Sequence, residues 1–418
     1  MKREVVITGM GVVSPIGIGV EPFWQSLLGG VSGVKVRPEF EQTELPFRLW
    51  APVDDFDGRQ YVKPRKAIKV MSRPIQFGFA AAQMAAEQAG LIDSGVDPDR
   101  IGAVFGTEAF FADPLDVDSL FHKCVTDGTY DDTQWGQHFM REIEPLWMLK
   151  YLPNMVASHI SISIDSRGPS NTICHGESSG LYAVIEGAEL IQRGAADAVI
   201  VGGTSCPLGL TGMVYRGPDR LSKKIQGDPD GVVRPFDADR DGSVLGEGAG
   251  AIVLETRQHA ETRGAQVLAR LRGYNSTFGP PQTDDFSAAI RRCLATALET
   301  SGVSADELAH LNAHGSALVS EDALEATGID QALGNVPVVA NKGHFGDIGA
   351  GASAIELVAA IQSAMTRVLP ATLNCDNPAA DCPVNVNTTQ ATTDKSTAAK
   401  LACSKTGQVC SVIVDSAV

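Results

Sequence analysis

The chain has 418 residues, an apolar share of 44% and a formal net charge of −16. Such a length suits two or three ordinary domains, or one large fold built from two similar halves. The charge argues against a basic nucleic-acid footprint and against an anionic membrane surface as partner, and no apolar run approaches the roughly 18 residues of a membrane helix.

The N-terminus, MKREVVITGMGVVSPIG, is too short in its apolar part for a signal-peptide core. Residues 5–8 read as a strand, and a cytoplasmic location is expected. Residues 73–89 form an alanine-rich helix pattern, 101–106 (IGAVFG) a short buried strand, and 110–148 a less regular, aromatic stretch like an insertion. From Gly168 the rhythm is plainer. GPSNTIC runs into a turn, Leu181, Val184, Ile185, Ala188 and Ile191 recur at helical spacing, Gly194 closes that helix, and 197–203 is a strand. The second part repeats the theme: helix near 285–301, strand 308–314, helix 321–333, strand 336–341, helix 351–366. Residues 388–400 (TTQATTDKSTAAK) read as a polar loop before a last strand, 410–415. Alternating strands and helices predict α/β architecture. The two similar parts, 1–255 and 256–418, suggest an internal duplication.

The stretch NTICHGESSG, 171–180, contains a literal G-x-S-x-G, the pattern of a hydrolase nucleophile elbow. A side chain between a strand and a helix N-terminus is presented for chemistry, and the free N–H groups there favour an anion. The segment alone leaves three readings: Ser178 as a nucleophile, a plain helix start capped by Ser178 or Ser179, or another residue at the apex.

Further motifs decide among them. RPFDADRDGSVLGEGAGAIVLE (234–255), VVITGMGVVSPIG (5–17), LPNMVASHISI (152–162), GPS (168–170) and GAADAVIVGG (194–203) together resemble the β-ketoacyl-acyl carrier protein synthases, condensing enzymes of fatty acid and polyketide synthesis. The resemblance implies a thiolase-like α/β fold, two duplicated βαβα-type halves stacked as five layers (αβαβα). It also implies a mechanism in which an elbow cysteine is acylated and two histidines assist decarboxylation. In that register the cysteine's place falls on Glu177, with Cys174 three residues early in the incoming strand. HGSALVSED keeps His314 and Asp322 but has Leu318 for a threonine, and NKGHFGD keeps Lys342 but places Asp347 where the second histidine belongs. His344 is nearby but out of register. A glycine-rich gate is replaced by CSKTGQVCS, 403–411. The resemblance implies substrate contacts for Ser178, Ser316, Phe110 and Phe111.

The expected function is that of a chain length factor, a homologue without the nucleophile that pairs with a cysteine-bearing ketosynthase. Such a protein would dimerise around GPSNTIC, with 110–148 facing the tunnel and the acidic acyl carrier protein docking through the partner. A homodimer is the alternative. A second reading makes Glu177, His314 and Asp347 a new acid–base site, for example for malonyl decarboxylation. These groups could also hold a divalent metal or form an internal ion network with Lys342. The third reading is a hydrolase using Ser178. No cofactor and no resident metal are expected. The eight cysteines lack C-x-x-C pairs, so reduced thiols are expected, although Cys375 with Cys382, or Cys403 with Cys410, could pair.

Overall fold

Strand β1, Val5–Ser14, is buried along its whole length, as a β-branched run covered on both faces should be. The computed structural model describes residues 3–38, 48–92, 94–108, 116–224 and 228–417. Helix α1, Arg73–Gln88, has Pro74 in its first turn, where a missing N–H does no harm. Its alanines lie so close to β1 that a Cβ on Gly9 would stand 2.0 Å from the Ala85 carbonyl oxygen. There follow β2 (Ile101–Gly106), α2 (Met155–Ile164), β3 (Ser170–Ile173), α3 (Ser179–Gln192), β4 (Ala198–Ser205), the short α4 (Leu210–Arg216) and β5 (Gly248–Thr256). The second half supplies β6 (Ala269–Phe278), α5 (Asp284–Ser301), β7 (Leu308–Asn312), α6 (Val319–Leu333), β8 (Pro337–Val339), α7 (Ala352–Thr366), β9 (Thr397–Cys403) and β10 (Gln408–Ser416).

The strands fall into two sets with one topology. The first runs in space β3-β2-β4-β5-β1 and the second β8-β7-β9-β10-β6. In both, the second strand pairs parallel with the third and fourth, and the fifth runs antiparallel to the fourth and the first. The sets join where β1 meets β6, Val5 opposite Leu271. The duplicated halves expected from the sequence are therefore present.

Strand alternation assigns the layers. In β4, Val199 and Val201 face one core together with Leu181 and Val184 of α3 and Ile355 and Val358 of α7. Ala198 and Ile200 point the other way, toward α1. In β10, Val412 and Val414 join the α3–α7 core, while Ile413 joins the core under α5 and α6. Helices α3 and α7 are thus sandwiched between two sheets covered outside by α1 and α2 on one side and by α5 and α6 on the other, which makes the five-layer αβαβα stack.

One expectation fails. Residues 388–400 are not wholly a polar loop, because β9 begins at Thr397 and lies between β7 and β10. Its TAAKLAC sequence lacks the bulky β-branched residues that mark a strand, and its lysine, Lys400, is fully buried. The cysteines of the described residues are free thiols. The β9–β10 register sets Cys403 opposite Val409 and Cys410 opposite Ala402, so those two are not a facing pair. Phe110 and Phe111 lie outside the described residues. Residues 116–148 hold short elements, Asp118–Lys123, a small hairpin and Trp135–Glu142, over a satellite core of Leu120, Cys124 and Ile143 backed by Trp135, Phe139 and Trp147.

Candidate active site

The turn after β3 is a true elbow. Cys174 and His175 lead into a single 3₁₀ turn, Gly176–Ser178, and α3 starts at Ser179. A Cβ on Gly106 would stand 2.3 Å from the Ser179 carbonyl carbon, so only the bare end of β2 lets the turn settle there. The serines tie the turn together. Ser179 Oγ accepts from the His175 N–H at 2.8 Å and donates to the Gly176 carbonyl at 2.6 Å, and Ser178 Oγ donates to the His175 carbonyl at 2.9 Å. Ser178 therefore serves backbone rather than an imidazole, which removes the base a hydrolase would need. Glu177 lies within this turn and is 1% exposed. Cys174 is exposed, its Sγ 3.4 Å from the Thr107 hydroxyl.

Glu177 is neutralised by a residue that sequence reading did not single out. Arg216, the last residue of α4, donates from Nη1 to Glu177 at 2.6 Å and from Nη2 to Glu108 at 2.9 and 2.7 Å, and its Nη1 lies 3.6 Å from Asp347. Arg220 stands 4.0 Å from Glu177 and pairs with Glu321. The Lys405 N–H, in the turn between β9 and β10, reaches the other Glu177 oxygen at 3.3 Å. Asp347 accepts from the Gly349 N–H at 2.9 Å. Burial pushes Asp347 up, but Arg216, Lys342 and that amide together hold it below the usual carboxylate range. Burial raises the Glu108 carboxyl, against the pull of Arg216. Gly349 is required here: its φ is +62°, and a Cβ would stand 1.9 Å from Arg216 Nη2.

Behind this cluster stands a second one. His314 follows β7. Its N–H donates to Glu325 at 2.7 Å, the Gly315 N–H donates to the same carboxylate at 2.8 Å, and its Nδ1 lies 3.4 Å from Lys342 Nζ. Lys342 also donates to the His314 carbonyl and, at 3.0 Å, to Glu356 of α7. The other Glu356 oxygen meets Lys400 at 2.7 Å, and Lys400 further donates to Asn312 Oδ1 at 3.1 Å and the Ala313 carbonyl at 2.9 Å. Burial, then Lys342 and Lys400, hold His314 well below the ordinary histidine value. Burial also lifts Asp322 to about 6 and Glu325 to about 7. Ser316 donates to Asp322 at 3.0 Å, so its hydroxyl supports the loop. His344 is turned away, its Nδ1 2.9 Å from the Val31 carbonyl. A small cavity of about 20 Å³ touches His314, Glu321, Glu325, Ser404 and Lys405, room for about one water.

Glu177 and Asp347 thus converge on Arg216, and His314 and Lys342 converge behind them. Among the described residues no group of three His, Cys, Asp or Glu side chains is placed to hold a metal ion; a guanidinium sits among the carboxylates instead. An internal ion network forms, but its cation is Arg216 rather than the expected Lys342, which pairs with Glu356. The residues missed, Glu108, Arg216, Arg220, Glu356, Lys400 and Lys405, carry no local pattern, though two arginines four apart in YRGPDR beside an apolar helix were a usable hint.

The pH dependence follows. The folded imidazole of His314 has a lower pKa than an unfolded one at about 6.5, so the native state binds fewer protons below that value and loses stability as pH falls through it. Between about pH 7.5 and about pH 5.5, the urea-unfolding stability of the wild type relative to His314→Gln should drop by about 1.4 kcal/mol. No change in that difference would mean that His314 titrates normally in the fold.

Two like halves in an αβαβα stack, with an elbow from the first beside a histidine and a lysine from the second, define a thiolase-like protein of the condensing-enzyme type. The chain belongs to the β-ketoacyl synthase family: residues 2–260 match the beta-ketoacyl synthase N-terminal domain and 268–376 its C-terminal domain. It is 32% identical over 390 residues to 3-oxoacyl-[acyl-carrier-protein] synthase 2 of Vibrio cholerae, covering 90% of each chain. A crystal structure of a beta-ketoacyl synthase from Burkholderia phymatum superposes over 100% of both chains with a TM-score of 0.89 at 26% identity. The ishigamide ketosynthase/chain length factor does so with a TM-score of 0.86 at 25% identity, again over 100% of both chains. No helix among the described residues is long and apolar enough to cross a membrane.

Proposed function

We propose that this protein is the non-condensing partner of a cysteine-bearing ketosynthase, of the chain-length-factor type, acting in the cytoplasm in polyketide or fatty acid biosynthesis. The observation that carries this reading is Glu177 in the elbow turn, ion-paired to Arg216 at 2.6 Å. On this reading Glu177 takes the place of the family's cysteine and Asp347 that of its second histidine. A carboxylate is a poor substitute for a thiolate, since its acyl product is an anhydride rather than a thioester. The rival acid–base reading is weakened by the same contact, because its carboxylates are occupied by a fixed guanidinium and its histidine is held neutral.

Dimerisation through 168–174 is supported by the edge position of β3 and by exposed Ile162 on neighbouring α2, since an open edge strand is a surface for pairing. An acidic carrier protein needs a local basic patch on so acidic a chain. The exposed Arg59, Lys63, Arg65, Lys66 and Lys69 supply one, which favours a carrier contact on this subunit in addition to the partner's. The test is co-expression with a cysteine-bearing ketosynthase encoded beside it. A 1:1 complex is expected, and Thr172→Pro should dissolve it, because the Thr172 N–H is not used by β2 and bonds only the Asn171 side chain at 2.8 Å. A homodimer unaffected by the neighbour would refute the pairing.

A further inference from the structure

A second feature at the elbow, distinct from the residue at 177, bears on the non-condensing reading above, on which this inference rests. The Arg216 side chain is 2% exposed. Its guanidinium fills the space bounded by Glu177, Glu108, Asp347 and the bare Cα of Gly349, where a Cβ would meet Nη2 at 1.9 Å. The end of α4 is pinned from outside as well. Lys405 Nζ donates to the Tyr215 carbonyl at 3.1 Å and lies 4.5 Å from the Tyr215 ring centroid, while its own N–H holds Glu177. A buried ion cluster is a poor way to gain stability, because desolvation offsets much of the attraction and apolar packing would do as well. What this cluster does achieve is to occupy the volume directly over the elbow.

We propose that Arg216 is a built-in plug: α4 carries a guanidinium into the space an acyl thioester would need, so that restoring sulfur at position 177 does not restore reactivity while Arg216 is in place. Arg216 is a positioning residue in this sense, setting access and touching no substrate.

The experiment uses Glu177→Cys and Glu177→Cys/Arg216→Ala in the full chain, treated with iodoacetamide at neutral pH. The thiolate displaces iodide, a sulfur–carbon bond forms and the thiol proton passes to the buffer. Peptide mass spectrometry reads the label at position 177, with exposed Cys174 as the internal reference for rate and buried Cys293 and Cys410 as controls for folding. Position 177 should react at least about tenfold more slowly than Cys174 in the single variant, and within about threefold of it once Arg216 is removed, since access governs thiol reactivity. If loss of Arg216 labels Cys293 and Cys410 too, the triple variant with Glu108→Gln removes one of the stranded carboxylates and repeats the comparison in a folded chain. Labelling of the single variant as fast as Cys174 overturns the plug, and so does a folded double or triple variant that stays as slow as the single. Thioester turnover by the wild type would instead overturn the proposed function and leave this order of labelling rates unchanged.

Discussion

Lys400→Met should destabilise the protein by about 3–5 kcal/mol, the range for breaking a buried ion pair by removing one partner. Lys400 is 0% exposed at the centre of the second sheet, and its ammonium is held by Glu356, Asn312 and the Ala313 carbonyl. Methionine fills much of the volume but satisfies none of these acceptors. Glu356, also 0% exposed, would keep only Lys342, and the Asn312 and Ala313 oxygens would lose the ammonium as a donor, a cost that belongs to the same total. The three charged groups act as one unit, so the effects should not add. Glu356→Gln in the Lys400→Met background should recover part of the loss, a coupling of about 0.5–3 kcal/mol. Urea unfolding of the single and double variants measures it. A loss under about 1 kcal/mol for Lys400→Met would mean that the buried ammonium is dispensable.

The same network explains what could and could not be read from the sequence. The βα rhythm was legible because hydrophobic spacing is local: α3 was marked by Leu181, Val184, Ile185, Ala188 and Ile191, and α1, β2 and α5 lie within a few residues of their expected bounds. The turn that holds Glu177 was legible because the strand, turn and helix signals around it are contiguous. Strand β9 was hidden, since a buried lysine among alanines looks like a solvated loop until Glu356 and Asn312 are seen beside it. The Arg216 cluster was hidden for a different reason. Glu108, Glu177, Arg216 and Asp347 come from four distant segments, and only the fold brings them within hydrogen-bonding or ion-pairing reach. Sequence reading therefore found the carboxylate in the elbow and the aspartate opposite it, but not the cation that joins them.

On the proposed reading, that cation argues against a site awaiting a proton transfer. An acid–base pair needs a group free to change protonation at working pH, whereas Asp347 is held ionised by Arg216 and Lys342 and His314 is held neutral by burial and two ammonium groups.

Condensation by the 1:1 complex proposed above, purified and measured with acyl and malonyl carrier thioesters, tests the central claim most directly. Replacing the partner's elbow cysteine with alanine should lower the rate by about 10³-fold or more, whereas Glu177→Gln in this chain should leave it within about threefold. The opposite pattern, turnover by this chain without the partner and its loss in Glu177→Gln, would show that the carboxylate in the elbow carries the chemistry.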